Sequence, residues 1–385
     1  MAMGEIFNSK VEGIAAGGAG IVRLGDTPVF VEMTAPGDRV NCRITEEHRG
    51  WARAELLEVS EASADRVDPL CAFYGRCGGC RFQHVKYEAQ LDAKRAVLCD
   101  AFERIGGFSP PSLRLVPSEP WEYRNRMEFH RLGSAGFGLK ARKSAEVIPV
   151  ADCPVADPGI RRVLKKTARG ERVLALPPEK DRFTVYARGG VFLGEGGISR
   201  GKIRLLDREM HLDAGVFFQS NGTMLEKLIA DLRELASGAD RRLPMADLFC
   251  GVGTFAVFLG ELFPHVDLVE ENKRALALAR ENLRGRPAEF FALRDDEWIG
   301  ARGRGARRGC GFIVADPPRQ GLSSGTARRL AAEGPPLLAY VSCDPATLAR
   351  DAAVLLDGGY RLAELRLYDF YPQTAHIESL SVFKR

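Results

Sequence analysis

One cysteine of this 385-residue chain, Cys343, ends an apolar run of strand character, Leu337 to Val341, on a Ser-Cys-Asp-Pro turn, and a helical pattern starts near Thr347. A thiol at the carboxyl end of a strand is placed to act as a nucleophile, although an isolated cysteine is as readily a small buried packing residue. A second set of thiols points to other chemistry. Cys71, Cys77 and Cys80 form a C-x5-C-x2-C run whose paired glycines let the backbone fold tightly, and Cys153 follows 73 positions later beside Pro154. Such a set can hold zinc or an iron-sulfur cluster. Three clustered thiolates with a remote, proline-flanked fourth suit a 4Fe-4S cluster better than the two short pairs usual for zinc. Cys42, Cys99, Cys250 and Cys310 stand alone and read as packing residues.

A third group of residues is spaced along alternating strand and helix patterns. The stretch "DLFCGVGTFA" carries Gly251 and Gly253 in a G-x-G-x-x-A pattern that serves dinucleotide and S-adenosylmethionine sites alike. Glu270 ends the next strand about twenty residues on, where an acid would take ribose hydroxyls. After the third strand, "LRDDEW" offers Asp295 and Asp296 equally for an adenine amine. The fourth ends in "VADPPRQGL", where two prolines after Asp316 fix a rigid loop. Arg319 stands where amino-group methyltransferases carry an aromatic that stacks on the target amine. The target therefore reads as a carbon that needs a covalent nucleophile, and the fifth strand supplies Cys343.

To bring these residues together the chain must fold as a doubly wound α/β sheet, with ligands at the carboxyl ends of its strands. Strands are expected at Met245 to Phe249, Val266 to Val269, Glu289 to Ala292, Phe312 to Ala315 and Leu337 to Ser342, with helices between them. Two last strand patterns, near Tyr360 to Tyr368 and Ile377 to Phe383, have no helix between them, so one should run antiparallel to the rest. Upstream, Asn221 is a helix cap with Leu225, Leu228, Ile229 and Leu232 on one face, and Gln219 sits just ahead of it. Another helix is expected from Tyr87 to Ile105. In "EYRNRMEFHRLG" a strand would place Arg124, Arg126 and His130 opposite Tyr123, Asn125, Met127 and Phe129, giving a face that can touch RNA. Residues 4 to 59 alternate short β runs with turns at Gly17-Gly18, Gly25-Asp26 and Pro36-Gly37-Asp38, the pattern of a small antiparallel barrel suited to oligonucleotides. The expected division is a barrel at 1–62, a central α+β domain at 63–205 and an α/β domain at 206–385.

Net charge is only +4, from 55 basic and 51 acidic residues, but basic residues crowd at Arg124 to Lys143, Arg161 to Lys166 and Arg302 to Arg308, where they can neutralise phosphates. The N-terminus lacks the layout of a signal peptide, and no apolar run approaches the roughly 18 residues of a membrane span. A cytoplasmic monomer is expected, its thiols reduced and available for metal or catalysis.

The motifs "FFQSN", "DLFCGVGTF", "VADPPRQGL", "VSCDPATLARD" and "HIESLSVFKR", with "YRNRMEF" and the four cysteines upstream, resemble the family of RNA uracil-5-methyltransferases over almost the whole chain. The resemblance implies an N-terminal TRAM barrel, a central iron-sulfur domain and a Rossmann-like methyltransferase domain. It implies that Gln219, Phe249, Thr254, Glu270, Asp295 and Asp316 serve S-adenosylmethionine or the target uracil, that Cys343 is the nucleophile and that Glu378 is the base. Some members carry Asn at the place of Thr254. The resemblance also puts Cys71, Cys77, Cys80 and Cys153 on one 4Fe-4S cluster, and the cluster-bearing branch acts on 23S ribosomal RNA, with some relatives acting on tRNA. The competing readings are an amino-methyltransferase on the same fold and a non-catalytic iron-sulfur RNA-binding factor.

Overall fold

The computed structural model describes residues 2–133, 136–171, 173, 180–302 and 309–385, and the basic run beyond Arg302 lies outside them. The N-terminal sixty residues form a six-stranded curled sheet. Its longest strands, Arg39–His48 and Trp51–Glu61, alternate buried Val40, Cys42 and Ile44 with exposed Arg39 and Arg43, the period-2 pattern of a half-buried strand. Pairing is antiparallel throughout except between Thr27–Val31 and Trp51–Glu61, which run parallel. Arg66 reaches back to the fully buried Asp38 at 2.6 Å and ties the next segment to the barrel.

The central sheet has five strands in the order Val147–Ile148, Gly136–Lys140, Arg126–Leu132, Arg182–Arg188, Val191–Gly194. Phe129, Phe137 and Phe183 pack on one another and share a core with Ile160 and Leu164 of the helix Pro158–Ala168.

The large sheet has eight strands in the order Ala288–Phe291, Val266–Val269, Met245–Leu248, Phe312–Ala315, Leu337–Ser342, Glu378–Lys384, Arg361–Tyr368, Leu113–Val116. The first five are parallel, and four of them are buried from end to end, Val266–Val269, Met245–Leu248, Phe312–Ala315 and Leu337–Ser342, which is why they read as mainly apolar runs. Glu378–Lys384 runs antiparallel between Leu337–Ser342 and Arg361–Tyr368, so the loop joining the last two strands returns to the carboxyl edge.

The sheet also crosses the division expected at 205/206. Leu113–Val116 pairs in parallel with Arg361–Tyr368, and the helix Tyr87–Ala101, extended by a π-turn over Phe102–Gly106, packs Leu98 and Phe102 against Leu348, Ala349 and Ala352. The physical reason is that Arg361–Tyr368 would otherwise be an open edge with apolar faces, and Leu113–Val116 covers it. Residues 87–116 thus belong by their hydrogen bonding and packing to the large sheet. No helix among the described residues is long and apolar enough to cross a membrane.

Candidate active site

A cavity of about 830 Å³ opens at the carboxyl edge of the large sheet, where a doubly wound fold binds its ligands. Gln219, Phe249, Gly251, Thr254, Glu270, Asp295, Asp316, Cys343 and Glu378 all line it. Gly253 does not. At φ +80° it turns toward the helix Lys273–Asn282, and a Cβ there would lie 2.8 Å from Leu283 and 3.1 Å from Ala279. Close packing against that helix requires a glycine at this position.

One end of the cavity is built from backbone geometry. Phe249 takes a left-handed φ of +61° as it leaves the strand, and Gly251, at φ +54°, donates its N–H to Glu270 at 3.0 Å. The other Glu270 oxygen accepts from Asn272 N–H at 2.7 Å, so the carboxylate that faces the cavity is held from both sides. Of the two equivalent acids in "LRDDEW", Asp295 is buried, lines the cavity and accepts the Ser323 N–H at 3.0 Å. Asp296 pairs outward with Arg294.

Beneath this turn, Asp247 accepts the Ala256 N–H of the helix Thr254–Leu259 at 3.0 Å, and burial pushes its carboxyl up to about 8. Its neighbours Asp316 and Glu270 raise it further.

The other end is held by the helix that follows Cys343. Asp344 caps Pro345–Asp357 by accepting the N–H groups of Ala346 and Thr347, so the helix starts two residues earlier than its apolar pattern suggests. The helix then grips the "DPPRQGL" loop. Thr347 donates to Arg319 O at 3.1 Å, Arg350 donates to Gln320 O at 2.9 Å and Asp351 accepts the Leu322 N–H at 2.8 Å. Gly321 is required there, because a Cβ at its φ of +74° would sit 2.6 Å from the Asp351 carboxylate. Arg319 in turn meets His376 at 3.3 Å.

Three titratable groups face one another. Burial pushes the Cys343 thiol up to about 12, with Glu378 and Asp316 adding and Arg319 opposing. Glu378 is buried and raised well above the carboxylate range, first by loss of water and then by Asp316. Asp316 is also raised by burial, and the Gln219 side chain holds it down. His376 is neutral, pushed down to about 4 by burial and by Arg319.

Arg124 and Arg126 line the same cavity, and Arg126 lies over the exposed ring of Phe217 at 5.5 Å. The sequence reading missed Phe217 and Tyr371 as lining residues. For Tyr371 the signal was available, an aromatic before proline in the loop that the final antiparallel pair returns to the carboxyl edge.

The four cysteines gather beside the central sheet. Burial raises Cys80 to about 11 and Cys153 to about 12, neighbouring thiols of the set raise them further, and Arg124 opposes. Among the described residues the one trio with ligand atoms within 4.8 Å of one another is His265, Asp267 and Glu289, so the thiols are spaced more widely. A tetrahedral zinc ion with bonds near 2.3 Å would hold its sulfurs about 3.8 Å apart.

Comparison with known proteins places this geometry. Residues 306–385 match the family model described as tRNA (uracil-5-)-methyltransferase, and residues 3–57 match the TRAM domain. An uncharacterized RNA methyltransferase of Treponema denticola is 30% identical over 99% of this chain and 99% of its own length. The 23S rRNA (uracil(1939)-C(5))-methyltransferase RlmD of Vibrio parahaemolyticus is 27% identical over 98% of this chain and 95% of its own. Among solved structures, the Pyrococcus abyssi tRNA (uracil-54, C5)-methyltransferase in complex with S-adenosyl-L-homocysteine superposes with a TM-score of 0.76 at 23% identity, covering 98% of this chain and 100% of that one.

Proposed function

We propose, because this chain belongs to the family of S-adenosylmethionine-dependent RNA (uracil-5-)-methyltransferases, that it methylates carbon 5 of a uridine in 23S ribosomal RNA through a covalent adduct with Cys343. The observation that carries this reading is the convergence of Cys343, Asp316 and Glu378, from three separate strand ends, in one cavity with Gln219.

Carbon 5 of uracil is a poor nucleophile on its own. Cys343 reacts as the thiolate, its proton leaving to solvent and Arg319 offsetting its charge. Its sulfur adds to carbon 6, and the ring electrons released make carbon 5 nucleophilic. S-adenosylmethionine supplies the methyl group that bonds to carbon 5, its sulfonium becoming a thioether. Glu378, as carboxylate, takes the carbon 5 proton. The electrons of that C–H bond restore the ring double bond, the carbon 6–sulfur bond breaks, and Glu378 returns the proton to the thiolate. Each turnover adds one methyl group and releases one proton. Asp316 and Gln219 hold the ring by its polar edge.

A uracil in structured RNA must leave its stack to reach the cavity, at a cost of about a few kcal/mol. The TRAM barrel and the Arg124 and Arg126 guanidiniums offset that by binding the backbone. Cys71, Cys77, Cys80 and Cys153 would hold a 4Fe-4S cluster, which supplies a structural and RNA-positioning element and no electron to this reaction. Protein purified without oxygen should then carry roughly four irons per chain with visible absorption lost on oxidation. One zinc per chain and no iron would remove the cluster.

The substrate test uses the purified protein with S-adenosylmethionine and transcripts of 23S ribosomal RNA and of tRNA. 5-Methyluridine in the ribosomal transcript alone is expected. Product only in tRNA would move the substrate, and no product in either would favour a non-catalytic RNA-binding role.

A further inference from the structure

Residues 369–377 join the last two strands and bring Tyr371, His376 and then Glu378 to the cavity. Within the segment itself few bonds hold it: Thr374 Oγ1 donates to Tyr371 O and accepts the His376 N–H. The rest of its anchorage comes from far upstream and centres on Gln373. This residue takes φ +66°, a conformation that side chains with a Cβ rarely adopt and that persists where neighbours over-determine it.

Those neighbours lie on the cysteine-bearing side of the molecule. The Gln373 carbonyl accepts the N–H groups of Arg81 at 2.8 Å and Phe82 at 3.0 Å, the two residues that follow Cys80. Its own N–H donates to Gln90 Oε1 at 2.9 Å, and its Oε1 accepts from Gln90 Nε2 at 3.0 Å, a reciprocal pair. Gln90 Nε2 also reaches the carbonyls of Phe82 and Val85. On the adjoining residues, Tyr123 donates to Pro372 O at 2.8 Å and Lys94 to Tyr371 O at 3.0 Å. Gln90 and Gln373 are 1% and 3% exposed, so a lost partner cannot be replaced by water.

We propose that Gln373 is a positioning residue. Its pairing with Gln90, and the grip of Arg81 and Phe82 on its carbonyl, set the approach of Glu378 to the carbon 5 proton. Removal of that proton thereby depends on the segment that follows the cysteine run. Addition of Cys343 does not, because Cys343 is held by its own strand and by the helix Pro345–Asp357. The inference rests on the roles of Cys343 and Glu378 proposed above.

Gln373→Gly tests it without backbone strain, since glycine takes φ +66° freely. Gln90→Ala removes the same pair from the other side and serves where the first variant folds poorly. Each is expected to lower kcat about tenfold and leave KM for S-adenosylmethionine unchanged. On ordinary uridine RNA each should accumulate a denaturant-resistant protein–RNA adduct during turnover, because addition outruns proton removal. The double variant should be no slower than the slower single one, as for two residues acting through one interaction. Wild-type kcat in both variants, or a loss of kcat with no adduct, would overturn the proposal. A wild-type protein that forms neither 5-methyluridine nor a Cys343-dependent adduct would instead remove the reading of the reaction itself.

Discussion

Cys343→Ala is expected to lower 5-methyluridine formation by roughly a thousandfold or more while S-adenosylmethionine binding stays at the wild-type level. The size follows from the role proposed for the thiol: without addition at carbon 6, carbon 5 has no electron density to attack a sulfonium, and the other thiol on the cavity wall, Cys250, is buried and pushed well above the usual thiol range. The separation of the two readouts follows from geometry. The cofactor end is formed by Phe249, Gly251, Glu270 and Asp295 on neighbouring strand ends, and none of them hydrogen-bonds to Cys343. With 5-fluorouridine RNA, which cannot lose a carbon 5 proton, the wild-type protein should form a stable adduct in the presence of S-adenosylmethionine, and Cys343→Ser should form none. A Cys343→Ala protein that still methylates RNA would sink the covalent mechanism and restore the amino-methyltransferase reading.

Asp316→Asn should make the protein more stable and less active at once. Asp316 is fully buried, and its carboxyl is raised from an ordinary 3.8 to about 7. Because the folded state binds this proton more tightly than the unfolded chain, the stabilisation from protonation is fully present below the ordinary carboxylate value and is lost as pH rises to about 7. Above that the folded protein holds an unfavourably buried charge, of the order of 1–4 kcal/mol by the usual 1.4 kcal/mol per unit. Asparagine has nearly the same shape and no charge to bury. Its advantage in denaturant melts should grow from pH 5 to pH 7 and level off beyond, while methylation falls at least about tenfold because the ring loses its charged partner. The charge on Asp316 also raises Glu378, so the acid limb of the pH–rate profile of any residual activity should move to lower pH. A variant with unchanged stability at pH 8 would show that the carboxyl is not charged in the folded protein.

Much of the architecture was legible because the relevant patterns are local. Mainly apolar runs marked the parallel strands, Asn221 sat where a cap belongs, and the absence of a helix between the last two strands required a reversal of direction. The membership of Leu113–Val116 in the large sheet was not legible. Four residues carry no edge-seeking signature of their own, and they pair with a strand some 250 positions later. The close packing of Gly253 against a helix was not legible either, because it depends on where Ala279 and Leu283 pack. The equivalence of Asp295 and Asp296 was likewise broken only by which of them faces Ser323.

By itself the sequence determined the kinds of chemistry available to this protein: a strand-end thiol, a four-thiol set and a glycine turn followed at strand ends by acids, in an order shared with the uracil-5-methyltransferases. These are properties of residue type and spacing, which survive without knowledge of long-range contacts. Only the tertiary structure decided which groups act on one another and what holds them. Asp316 and Glu378 lie on strands separated by Leu337–Ser342, and their mutual effect exists only because the sheet brings both to one dry cavity. The grip of Gln90 on Gln373 spans 283 positions. No local pattern encodes such a contact, because two glutamines become partners only when burial removes the water that would otherwise satisfy each.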